Sequence, residues 1–195
     1  LIAKKAIEYI REMSKSDKPF FLYVPFNAPH YPMHAPQGYM DRFADLPWDR
    51  QVMAAMISAV DDAIAKIKDE LERLSLTENT LSVFTSDNGP SRESRNWLDG
   101  SQDPYYGGTS GGLKGHKFSL FDGGVKEPAI MHWPARIPGG QVSDQSCASM
   151  DIVPTVLEAI GGQVDLVYRF LVPGMGVDSL CSHVAVYSIH LVGHG

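Results

Sequence analysis

Leu81-Ser82-Val83-Phe84-Thr85-Ser86-Asp87-Asn88-Gly89-Pro90 is the stretch on which the reading of this chain turns. Its first six residues, apolar and β-branched, read as a strand, and Asp87-Asn88-Gly89-Pro90 stops that strand with four residues that favour turns. A carboxylate and an amide carbonyl at the carboxyl end of a strand are hard oxygen donors of the type calcium and magnesium prefer. The Gly-Pro step can bend the backbone so that both side chains face one point. The same residues are an ordinary turn sequence, and alone they favour the turn over a ligand pair.

Working outward, the residues before the strand carry a long helical seam: Met53, Met56, Ile57, Val60, Ile64, Ile67, Leu71 and Leu74, with a charged opposite face. A proline-studded loop from Pro25 to Pro36 precedes it. Before that loop, Pro19-Phe20-Phe21-Leu22-Tyr23-Val24 is a continuous apolar run of the kind found in a strand buried on both faces of a parallel sheet. Ile2, Ala3, Ala6, Ile7, Ile10 and Met13 define a first helix. Downstream, 89–124 holds nine of the eighteen glycines, too many for regular structure and too long for an idle connector, which points to a loop serving a site. A third strand is expected over Ala129 to Trp133. A last short helix should follow, with apolar Met150, Val153, Val156, Leu157 and Ile160, Asp151 as its cap and Gly161 as its stop. This rhythm predicts an α/β fold, a layered αβα domain with a mostly parallel central sheet.

Composition bounds the function. With 195 residues, 44% hydrophobic and 21% charged, the chain can bury a sizeable core. Its formal charge of -6 argues against nucleic acid or an anionic membrane as partner, because those partners require a basic footprint. No apolar run reaches the roughly 20 residues of a spanning helix. Cys147 and Cys181 are too few for a disulfide framework or a zinc cluster. Leu1 to Arg11 opens inside an amphipathic helix without an initiator Met, so coding sequence is expected upstream, and localisation and oligomeric state stay open.

Two further candidates lie in loops. Lys114-Gly115-His116-Lys117 sets cations among glycines, where little bulk keeps an anionic oxygen away, although a solvated basic turn reads the same. His30 follows the first strand, where an imidazole could give a proton to a leaving oxygen or simply satisfy backbone groups. Trp97, Tyr105 and Tyr106 could stack on a sugar or pack a lid. Asp61-Asp62 falls mid-helix, its side chains about 100° apart around the axis, and reads as structural or solvated.

Together, four ordered segments resemble the sulfatase family of the alkaline-phosphatase-like superfamily: 18–36 around His30, 84–90 around Asp87-Asn88, 112–128 around Lys117 with Trp133-Pro134 after it, and the helix 150–161. The resemblance covers 1–162, as part of a catalytic domain. It implies hydrolysis of a sulfate ester, on a small molecule or a carbohydrate. It implies that Asp87 and Asn88 ligate a divalent metal, most often Ca2+. By the same resemblance Lys117 touches the sulfate and the leaving oxygen, His30 stands beside that oxygen as donor, and Lys114 is a nearby charge. A phosphodiesterase or phosphonate hydrolase of the same superfamily, and a non-catalytic binding domain, are the alternatives.

The departures are specific. The family's nucleophile is a formylglycine made within a Cys/Ser-x-Pro-Ser-Arg motif, which this chain lacks, so no nucleophile is assigned and the chain alone is expected to be inactive. The family's early acidic pair is missing too, which leaves a metal site with few ligands. Residues 163–195, with Arg169 their one Lys or Arg, show neither clean period and are expected to be frameshifted or poorly ordered.

Overall fold

A computed structural model describes residues 1–95, 99–161 and 183–189. In chain order its elements are α1 (Ile2–Met13), β1 (Phe20–Phe26), the single turn α2 (Gln37–Met40), α3 (Trp48–Arg73), β2 (Thr80–Ser86), β3 (Arg92–Ser94), β4 (Pro104–Tyr106), the single turn α4 (Asp122–Val125), β5 (Ala129–His132), α5 (Ile152–Ala159) and β6 (His183–Ile189). The main sheet runs β1-β6-β2-β5, and β3-β4 form a separate hairpin. β6 is parallel to both β1 and β2, whereas β5 closes the other side antiparallel to β2. The sheet is therefore mostly parallel, as expected. Sequence reading assigned no element to 183–189; the rest of 163–195 lies outside the described residues.

Each face of the sheet has its own core. On one, α1 and α3 bring Ala6, Ile10, Val60, Ile67 and Leu71 against Phe20, Val24 and Phe26 of β1. Tyr9 meets Phe20 edge-on at 5.9 Å. Full burial of a side chain such as Ile10 or Ile67 is worth about 1.5–3 kcal/mol. The buried stripe of α3 starts at Val52, Ala55 and Met56, and Ile57, counted in the expected seam, faces solvent. On the opposite face α5 and Trp133 cover Leu81 and Val83 of β2.

α5 stops short of β1, which explains a difference from expectation. β1 is buried on one face only. Phe21 and Tyr23 share the face of Leu81 and Val83 across the register, yet both are about half exposed, because nothing in the described chain is layered over them. A continuous apolar run shows that a strand could be covered on both faces, not that it is. Asp151 also departs from its expected role. Its carboxylate accepts the Ala148 N–H at 2.6 Å, closing the turn before α5, and makes no cap bond to α5 itself. Gly161, at φ 80, ends that helix as expected.

A buried acidic side chain in the helical layer is held from two sides. Glu70 on α3 accepts a two-pronged bond from Arg11 of α1, Nε at 2.8 Å and Nη2 at 3.0 Å, and further bonds from Arg73 one turn on. Arg11, then Arg73, lower its pKa from 4.5 to about 2. A depressed carboxyl contributes stability above its unfolded value that is lost as the pH falls through the folded one. Urea midpoints should therefore drop between about pH 4.5 and 2, and Glu70→Gln should flatten that part of the profile. An unchanged profile in the variant would remove the pair from acid stability.

Candidate functional site

Parallel pairing decides which loops can meet. Phe26 of β1 and Ser86 of β2 both register with Ile189 of β6, so the segments after β1 and β2 leave the sheet from the same edge. Two strand spacings separate them, about 10 Å. The carboxyl edge of a parallel sheet is where ligands collect in such folds. His30 and Asp87-Asn88 are thereby brought to one edge.

His30 sits in a tight turn closed by its own N–H to the Asn27 carbonyl at 2.9 Å. Its Nδ1 lies 2.7 Å from the Tyr31 carbonyl. A carbonyl only accepts, so Nδ1 carries the hydrogen in that bond. Tyr31 packs edge-on against Tyr105 at 6.4 Å, and Tyr105 in turn lies under the Arg50 guanidinium at 4.6 Å. The β3-β4 hairpin thus buttresses the His30 loop. Tyr105 is 2% exposed, which excludes the sugar-stacking role and leaves packing. Trp97 lies outside the described residues, as does the side chain of Tyr106.

At the end of β2, Asp87 is exposed and Asn88 half-buried. The Ser86 hydroxyl donates to the Asn88 carbonyl at 3.0 Å, which curls the turn. The Asn88 amide nitrogen donates to the Gly89 carbonyl at 3.1 Å, so Oδ1 is the atom of that side chain suited to a cation. Two adjacent hard oxygens fit calcium in kind, though in number they supply only part of the six to eight it takes. Among the described residues no three His, Cys, Asp or Glu side chains form a metal-holding group.

The glycine-rich loop is strapped onto this turn. Gly89 N–H donates to the Gly124 carbonyl at 3.0 Å, and Lys117 N–H donates to the Pro90 carbonyl at 3.0 Å. The approach is so close that a Cβ on Gly89 would stand 2.0 Å from the Gly123 oxygen, and one on Gly123 would stand 2.5 Å from the Gly115 oxygen. Glycine at these two positions is a requirement of backbone packing against backbone. Lys117 is tied by its backbone to Pro90 at the end of the turn and is buried, its ammonium 4.9 Å from the Phe118 ring centre. Lys114 is exposed, its ammonium over the Phe121 ring at 4.0 Å.

One residue of the region had no place in the sequence reading. Antiparallel pairing of Thr85 with Ala129, continued two residues, sets Glu127 opposite Asp87. Burial, then the Asp87 charge, push the Glu127 carboxyl above its usual range. Its signal, Lys126-Glu127-Pro128 just before a strand, has meaning only once that register is known. Asp62 is elsewhere, bonded by Arg42 at 2.9 Å on α2–α3, in keeping with a structural role. His183 opens β6 with its side chain outside the described residues, as are His190 and His194 entirely.

Comparison with known proteins adds three findings. The family model described as Sulfatase matches residues 1–162. N-acetylgalactosamine-6-sulfatase of Canis lupus familiaris is 34% identical over 81% of this chain and 28% of its own length, and human arylsulfatase A is 34% identical over 80% and 28%. The chain therefore spans little more than a quarter of these relatives. Among solved structures, Ps i-CgsB in complex with k-i-k-neocarrahexaose superposes with a TM-score of 0.71 at 29% identity, covering 87% of this chain and 35% of that one.

Proposed function

Since this chain belongs to the sulfatase family, we propose that it supplies the cation-binding and leaving-group side of a site that hydrolyses sulfate esters of carbohydrates. The observation that carries the proposal is the backbone bond from Lys117 to Pro90, which ties a buried lysine to the Asp87-Asn88 turn. The relatives named for N-acetylgalactosamine 6-sulfate, and the structure holding a carrageenan oligosaccharide, support a sugar as the group esterified.

In this reading Asp87 and Asn88 would hold a divalent cation, calcium by donor type. Bound there, it would draw electron density from the sulfate oxygens. Lys117 orients the sulfate by one oxygen and offsets the charge that builds on the ester oxygen as the S–O bond lengthens. His30, as the imidazolium with Nδ1–H still on the Tyr31 carbonyl, gives that oxygen the proton on Nε2 and returns to the neutral Nδ1–H form. Fixed positive groups at the atom where charge appears lower the barrier more than groups that must first reorient. The attacking group is assigned to no residue of this chain. Turnover of a sulfate ester in preference to the matching phosphate ester, by an enzyme containing this chain, tests the reading; the reverse preference overturns it.

The cation side is testable in the chain as given. Asp87→Asn keeps the shape of the side chain and removes its charge, so calorimetry should show calcium affinity weakened by about tenfold or more. Unchanged affinity would take Asp87 out of the site.

A further inference from the structure

The loop that carries Lys117 shows an unusual amount of apolar surface: Phe118 is 67% exposed, Leu120 95% and Phe121 51%. Phe118 combines two unfavourable features. The Ser119 N–H donates to the His116 carbonyl at 2.9 Å, closing a four-residue turn whose third residue is Phe118, and its φ is 72°. Glycine is the ordinary occupant of that position, and an aromatic residue held there is strained. Its ring forgoes burial as well. The ring stands next to the ammonium proposed to meet the sulfate, 4.9 Å from it. Phe121 repeats the pattern on the same loop, with Lys114 over its ring.

We infer that Phe118, with Phe121 beside it, is the platform on which the sugar ring of the sulfated substrate stacks while Lys117 holds the sulfate. A pyranose presents a face of C–H groups that an aromatic ring can cover, and its sulfate lies one or two bonds from that face, within reach of an adjacent ammonium. Inorganic sulfate offers the charge without the face. The inference rests on the proposed sulfate-ester reading and deepens it by naming what selects the substrate.

Calorimetry on the calcium-loaded chain, with N-acetylgalactosamine 6-sulfate and inorganic sulfate as probes, separates the two claims. The sugar sulfate should bind about tenfold tighter than inorganic sulfate. Phe118→Gly, which accepts a φ of 72° without strain, should bring that ratio to about one with no loss in melting temperature, and Phe118→Tyr should keep it. A ratio that survives Phe118→Gly overturns the platform and leaves the anion site standing. Failure of the unmodified chain to bind either probe removes the anion site and the platform with it.

Discussion

Lys117→Ala is expected to lower kcat on a sulfate ester by about 10²–10³-fold, the usual cost of removing one fixed group that stabilises developing charge. The substitution is clean for a structural reason. What fastens residue 117 to the Asp87-Asn88 turn is its backbone N–H on the Pro90 carbonyl, and alanine keeps that bond. What disappears is the ammonium, together with its contact on the Phe118 ring. Lys117→Arg should recover little, because a broad planar guanidinium does not fit where a compact charge sits in a buried place. Steady-state kinetics on an enzyme containing this domain, beside a melting curve, is the measurement. Near-normal turnover in the alanine variant would remove Lys117 from the reaction, and a large drop in melting temperature would assign it to the fold.

Gly89→Ala is expected to be the most damaging single methyl group that can be added near the site. The new Cβ would stand 2.0 Å from the Gly123 oxygen and 2.9 Å from its carbonyl carbon. Both are backbone atoms, which cannot swing aside as a side chain does, and Gly123 is itself hemmed in by the carbonyls of Leu113, Lys114 and Gly115. Either the loop lifts off the turn or the end of β2 moves. A cost of about 3 kcal/mol or more follows, roughly 6–12 °C in melting temperature for a domain of this size. Calcium affinity and anion affinity should fall together, since the strap positions Lys117 as well as Asn88. Gly38→Ala is the matched control, with nothing within 4 Å of its added methyl. A Gly89→Ala protein that melts like the parent would show that the close approach is not a constraint in solution.

What could be read from the sequence follows from the range of the physics involved. α1, α3 and β2 announce themselves through local periodicity, which is decided by near neighbours. Strand direction is not local. Nothing in Ala129 to His132 says that β5 runs antiparallel, and nothing in His183 to Ile189 says that a strand there takes the place between β1 and β2. The site divides in the same way. Asp87-Asn88, His30 and Lys117 each lie in a segment with a recognisable pattern, whereas the bond from Pro90 to Lys117 spans 27 residues and has no signature. Glu127 was missed because its neighbour is set by the β2-β5 register. Phe118 was missed because a left-handed turn ordinarily asks for glycine, so an aromatic residue there gives no advance notice.

The bond between His30 and the Tyr31 carbonyl limits how a proton can travel. An imidazole with both nitrogens accessible can work as a relay, taking a proton on one side and passing another out of the opposite side. With Nδ1 donating to a carbonyl, the proton role proposed for His30 falls to Nε2, and a relay through the ring would first have to break that bond.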